Sequence, residues 1–359
     1  MINFKNAGKT ALLVFLTGLI SVSGIFYSCR GTQTSKQNDQ EPSKINPIDS
    51  TKVEPKSDSS ANNTSTDTSK SDQNGKPTPD NSKNDLKLSD VKQNRTYDDI
   101  ARLIAGLKPD SGSGLDSLES FDAWKKHSVY FNANWSNIKK RRLAPMNQWG
   151  KTELADINSS GKDIFYPFSG ADFMSVFSLF PNAKTYTMLA LERPGALPNA
   201  GKMNEEQFSG YLNAVKTSLI DIFMRSFFVT RNMQKDLMKQ NVNGTLPLIS
   251  IFMVRTGCKI LNIERVKVDK LGKIVNIPED SANSVLNRGV RITFTPSKNS
   301  SDVRTLYYFS LDLVDETFSK NKGMLTYLKG MGSVNSYIKS ASYLLHFGNF
   351  SLIRNIILA

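Results

Sequence analysis

Cysteine and histidine are nearly missing from this chain. Of 359 residues, two are cysteine (Cys29 and Cys258) and two are histidine (His127 and His346). Two thiols cannot make a disulfide framework, and neither a Cys-x-x-Cys pair nor a Cys/His zinc cluster is present. Neither histidine sits in an HExxH pattern. A Ser-His-acid triad would need one of them beside a serine and an acid that the sequence does not place. Both are therefore read as helix-surface or satisfied interior residues. Aromatic residues are absent between Tyr27 and Tyr97. The apolar stretch at residues 10–24 covers 15 residues, or 18 if counted to Tyr27, against the ~20 that a spanning helix needs.

What is present at the N-terminus fits export. Lys5 and Lys9 precede the uncharged apolar stretch, which is the pattern of a secretory signal. Ser28 then precedes Cys29, as at a lipoprotein processing site, although Phe26 stands where such sites usually carry leucine. We read residues 1–28 as a signal peptide and Cys29 as the lipidation site. An ordinary signal peptide and an uncleaved membrane anchor are the alternatives, and all three take the chain out of the cytoplasm. With Cys29 modified, Cys258 is left as a buried, inert thiol.

Residues 29–95 are Ser, Thr, Asn, Asp, Lys and Gln with scattered Pro. Such a segment cannot bury enough apolar surface to offset the entropy of ordering it. We read a flexible linker with a mean reach of roughly 45 Å, followed by one globular domain over residues 96–359. The expected location is the bacterial cell envelope, lipid-anchored and facing the periplasm or cell surface. The chain ends on the apolar Ile356-Ile-Leu-Ala359 with no helix stop signal, which allows for a C-terminal truncation.

The formal net charge is +13, of which about +10 falls from Thr96 onward. A basic domain tethered to a membrane can rest against anionic lipid or lipopolysaccharide phosphates. Lys139, Lys140, Arg141 and Arg142 form the densest cluster. They close a helix-like stretch, where cations also suit the C-terminal dipole, so a solvated helix end is the bland alternative. Nucleic acid is not expected as a partner, because no recognition motif accompanies the charge.

Periodicity predicts an α/β (or α+β) domain in which a mixed sheet, with one β-α-β unit followed by antiparallel hairpins, is flanked by helices. Thr96 caps a first helix, and Trp124, Phe131, Trp135 and Ile138 mark one stripe of a second that Pro145 ends. Asn204 to Gln207 caps a long helix, a short helix runs from about Arg231 to Gly244, and a wholly apolar helix starts at Thr245. Strands are expected at 259–268, 273–277, 290–295 and 303–313, with helices from Lys322 on.

The most informative stretch runs from Asp163 to Glu192. We read a strand (163–168), a turn at Ser169-Gly170, a helix to about Phe180 and a strand (185–191). Ser169 and Asp172 have capping-box spacing, and the order implies a parallel pair with a right-handed crossover. Glu192 then stands where dinucleotide-binding units carry the acid for ribose hydroxyls. Only Gly170 is present where that fingerprint needs two or three glycines, so neither a nucleotide nor any other cofactor is assigned, and no metal site is expected.

The residues Tyr166-Pro-Phe-Ser-Gly-Ala-Asp172, Phe180-Pro-Asn-Ala183 and Leu191-Glu192 resemble the hallmark of a family of exported bacterial proteins of uncharacterised activity. Lys339 to His346 and Phe350 to Arg354 resemble its second block. Ala171 departs from that family's frequent proline. The resemblance implies a cell-envelope location and brings no activity with it. Candidate ligand residues are Ser169, Gly170, Asp172, Glu192 and Arg193, which fall at the C-terminal edges of strands. Glu264, Asp312, Asp315 and Glu316 complete the carboxylates considered. Two readings stand: a binding or scaffolding protein, or an envelope enzyme with a carboxylate-based or degenerate nucleotide-type (Rossmann-like) site.

Overall fold

The computed structural model describes residues 86–110, 112–225, 242–278, 288–339 and 341–359. The signal segment, Cys29 and nearly all of the linker lie outside the described residues, as does most of the short helix expected from Arg231.

The architecture follows from strands that alternate between two apolar faces. In β1 (Ile164–Tyr166), Ile164 and Tyr166 join one core while Phe165 joins another. In β2 (Thr185–Ala190), Tyr186, Met188 and Ala190 go one way and Leu189 the other. In β6 (Arg304–Ser310), Leu306 and Tyr308 oppose Phe309. A sheet apolar on both faces must be covered on both, which dictates three layers.

The sheet has seven strands in the order β4-β3-β5-β6-β2-β1-β7. The others are β3 (Lys259–Val268), β4 (Ile274–Asn276), β5 (Arg288–Thr295) and β7 (Asn335–Ser336). β6, β2, β1 and β7 run parallel, and β4, β3, β5 and β6 pair antiparallel. The fold is therefore α/β, with one β-α-β unit and antiparallel hairpins in a single mixed sheet.

One face carries α1 (Arg95–Ile104), α2 (Asp122–Ile138), α5 (Phe173–Leu179), α6 (Glu205–Arg225) and α7 (Leu246–Arg255), with α3 (Ala144–Glu153) and α4 (Ala155–Ser159) between α2 and β1. The other face carries α8 (Asp315–Phe318), α9 (Lys322–Lys329) and α10 (Ser351–Leu358). The long-helix cap is reciprocal: Asn204 N–H donates to Gln207 Oε1 at 3.1 Å, and Gln207 N–H to Asn204 Oδ1 at 2.9 Å. α7 is buried from Leu246 to Val254, and among the described residues no helix is long and apolar enough to cross a membrane.

Several local expectations are corrected. Asn94, not Thr96, caps α1, its side chain accepting from Thr96 N–H. Pro145 does not end α2. The chain passes through a π turn at Lys139–Leu143 into α3, whose second residue is Pro145; the wider turn accommodates a residue that has no N–H to give to the turn before it. The basic cluster thus sits on a π turn within continuous helix, not at a helix C-terminus, so the dipole argument for its charges does not apply. Ser169 does not cap α5; its hydroxyl reaches Leu189 O at 3.1 Å instead.

His127 is buried against Phe131, and its Nε2–H donates to Ile104 O at 2.9 Å. Burial, aided by Arg255 and Lys216, lowers its pKa to about 4. An unfolded histidine titrates near 6.5. Between those values the unfolded chain binds a proton that the native state refuses, so stability falls as pH drops through this window. Denaturant unfolding should show about 2–3 kcal/mol lost from this source between pH ~6.5 and ~4. His127→Gln should flatten that part of the profile; an unchanged profile would contradict the assignment.

Candidate functional site at the strand edge

β1, β2 and β6 end side by side, and their chains then part. β1 and β2 lead to helices on one face, and β6 leads to α8 and α9 on the other. A crevice opens where neighbouring connections diverge, which is where open α/β sheets hold ligands. A cavity of about 430 Å³ occupies this place. Its walls come from Phe168–Asp172 after β1, Ala190–Glu192 after β2, Leu311–Val314 after β6 and the segment from Lys339 to Phe350.

Asp172 is 3 % exposed. Its Oδ2 accepts from Lys339 Nζ at 2.6 Å and from Tyr166 Oη at 3.1 Å, and Lys339 also reaches Ser175 Oγ at 3.1 Å. Its Oδ1 is buried with no protein partner. Nη1 and Nη2 of Arg142 are also buried without a partner, and Asp172 is the charge that acts on this guanidinium. Burial lowers the Arg142 pKa, and Asp172 opposes that shift. Burial, then the neighbouring charge of Asp172, holds the Tyr166 phenol well above its usual range.

Glu192 is 6 % exposed, and burial raises its carboxyl pKa. The carboxylate takes its own backbone N–H as a partner, which acts in the opposite direction. Its position is set by backbone. Tyr308 Oη, inside β6, donates to Glu192 O at 2.7 Å and lies 3.1 Å from Thr245 Oγ1. Thr245 donates to Arg193 O through both N–H and Oγ1, and Leu246 N–H donates to Pro194 O. Gly195 and Gly244 cross there with φ of +66° and +80°, and a Cβ on either would strike the other segment's backbone. The start of α7 and the end of β2 are thereby locked together.

Among the described non-glycine residues only Phe168 has a left-handed φ, +57°. Such a conformation costs about 1–3 kcal/mol and persists only where surroundings enforce it. Here Ser169 N–H bonds Leu189 O at 2.8 Å, and the Phe168 ring packs against Phe350 with centroids 5.8 Å apart.

Ser169, Gly170, Asp172 and Glu192 thus surround one cavity. Arg193 does not line it; its side chain is exposed and its contribution is the carbonyl that receives Thr245. Asp312 joins the wall, its Oδ1 accepting from Val314 N–H at 3.0 Å. The other carboxylates lie elsewhere: Glu264 pairs with Arg291, Asp315 accepts the first N–H groups of α10, and Glu316 faces Lys320. Lys139, Lys140 and Arg141 are exposed. His346 is exposed, and burial raises the Cys258 thiol pKa to about 12. Among the described residues no three His, Cys, Asp or Glu side chains gather to hold a metal. Lys339 carried no role in the sequence reading, although it opens the second of the two resembling blocks; those blocks meet at this cavity.

No protein family, curated protein or solved structure matches this chain.

A buried carboxylate with a raised pKa destabilises the empty protein when ionised. The cost is present above the folded pKa and vanishes below the unfolded value near 4.3. Glu192→Gln should therefore raise the denaturation midpoint at about pH 7 and leave it unchanged below pH ~4. A midpoint lowered at both pH values would show that the carboxylate is structural.

Proposed function

We propose that this chain is a lipid-anchored bacterial cell-envelope protein whose domain binds a small amphipathic ligand in the strand-edge cavity. The reading rests on one observation above others: Asp172 Oδ1 is buried, unpartnered and part of a residue on the cavity wall. An unsatisfied buried acceptor costs about 1–3 kcal/mol; the charges of Lys339 and Arg142 offset part of that cost, and a ligand donor would remove the rest. Asp172, Glu192 and Asp312 against Lys339 give the cavity an acidic balance within a basic domain. Phe168, Leu191, Leu311, Leu313 and Phe350 supply apolar wall. The complementary ligand has an apolar body and a cationic or hydrogen-donating head.

A nucleotide fits poorly, because the position before α5 that would meet a phosphate carries Asp172. The second reading, carboxylate-based hydrolysis, is favoured by one feature, the raised pKa of Glu192, which suits a general acid. The tether through Cys29 is supported by the leader pattern and by the polar run that follows it.

Intact-mass analysis of the membrane fraction should show a chain beginning at Cys29 with added acyl mass, and Cys29→Ser should abolish it. Calorimetry with hexylammonium should show saturable binding, absent for hexyl sulfate. Asp172→Asn and Glu192→Gln should each weaken it about tenfold, a loss of ~1.4 kcal/mol. Equal response to both amphiphiles, or no effect of either substitution, would sink the ligand reading. Turnover of an activated glycoside that Glu192→Gln abolishes would favour the hydrolytic one.

A further inference from the structure

The opposite edge of the sheet carries a second cavity of about 430 Å³ with inverted electrostatics. It lies by the N-terminal ends of β2 and β3, where Pro181 and Gly257 belong to its wall. Three cations line it, Lys139, Lys151 and Arg255, and no carboxylate does. Among the described residues no acid pairs with any of the three.

Arg255 is the most informative. Its Nε donates to Ala105 O at 2.8 Å and its Nη1 to Asn132 Oδ1 at 2.7 Å, and Nη2 also reaches Ala105 O. A guanidinium has five N–H groups, so two remain unused on a half-buried group whose partners are all neutral. Its face lies 5.7 Å from the Phe131 ring. Burial lowers its pKa to about 10, leaving it charged at neutral pH. A desolvated cation without a counter-charge is costly, and an anion relieves that cost.

The negative potential that Arg255 meets is the C-terminus of α1, whose capping carbonyl Ala105 O takes two of its bonds, and this partial charge does not neutralise a full cation; the last carbonyls of its own helix, α7, are occupied. Phe252 O accepts from Thr256 N–H, Met253 O from Cys258 N–H and Val254 O from Gly257 N–H, at 2.9, 3.0 and 3.2 Å. Trp135 and Phe177 give the cavity aromatic wall, with Trp135 stacked on Phe252.

We propose that this cavity binds a phosphate ester, its phosphoryl oxygens meeting Arg255, Lys139 and Lys151 and its organic part resting on Trp135 and Phe177. Guanidinium and ammonium donors match phosphate oxygens in number and charge. The same chemistry is offered by a free phosphate ester and by a phospholipid headgroup.

The purified full chain, carrying Trp149→Phe so that the exposed Trp149 does not contribute, should be titrated with phenyl phosphate while tryptophan emission is followed. In a parallel arm it should be mixed with phosphatidylglycerol or phosphatidylcholine vesicles. Lys139→Glu with Lys151→Glu reverses two exposed charges and should leave the melting temperature unchanged. Saturable phenyl phosphate binding, weakened about tenfold or more by the pair of substitutions, supports the site and a free ester. Tighter binding to phosphatidylglycerol than to phosphatidylcholine vesicles, the latter reporting the acyl anchor alone, with the difference removed equally by the pair and by Arg255→Met, supports the site and a headgroup. No saturable binding in either arm, or binding indifferent to the paired substitutions, overturns the proposal.

Discussion

The ion pair between Asp172 and Lys339 joins two parts of the chain that are 167 residues apart, the turn after β1 and the segment after β7, at 2.6 Å. The carboxylate also accepts from Tyr166 Oη in β1, and the lysine donates to Ser175 Oγ in the first turn of α5. β7 contributes only two paired residues to the sheet. The segment that follows it is held by this polar contact, by Tyr337, whose N–H bonds Phe165 O and whose ring meets Tyr166 and Phe180, and by the Phe168–Phe350 packing.

The cavity exists because satisfying those groups stops short of filling the edge. Hydrogen bonds from Tyr308 Oη, Thr245 and Leu246 to backbone carbonyls fix the chain after β2, and Ser169 fixes the chain after β1. Rigid backbone on three sides leaves Glu192 and Asp172 buried without full solvation. Asp172 is neutralised by Lys339, whereas burial raises the Glu192 pKa with only its own backbone N–H opposing that shift. With the left-handed Phe168, the edge carries local backbone strain beside a buried acid, features that cluster at ligand clamps. The second cavity repeats the pattern with the opposite sign, around Arg255.

Much of this fold was legible in the sequence because strong periodicity and strong burial coincide. Trp124, Phe131, Trp135 and Ile138 fall on one helical stripe and are all buried. The β1-α5-β2 unit shows a change from period two to period 3.6 around a single turn. β7 was not legible, since two residues carry no periodicity. The π turn at Lys139–Leu143 was missed because a run of charges has no apolar stripe to show that the helix continues past it, and Pro145 then looked like a stop. Ser169 was misread as a cap because capping spacing describes the local chain, whereas its hydroxyl is claimed by β2, twenty residues away. The acids of the site were found from their place at strand ends. Lys339 was not, because nothing local marks a lysine as the partner of a distant aspartate.

A double-mutant cycle on Asp172→Asn and Lys339→Met, followed by denaturant unfolding, tests most directly whether this pair holds the strand edge together. The account predicts a coupling energy of about 1–3 kcal/mol, with the double variant less destabilised than the sum of the singles. Losses that add to within ~0.5 kcal/mol would contradict it, and would leave the wall of the cavity to apolar packing alone.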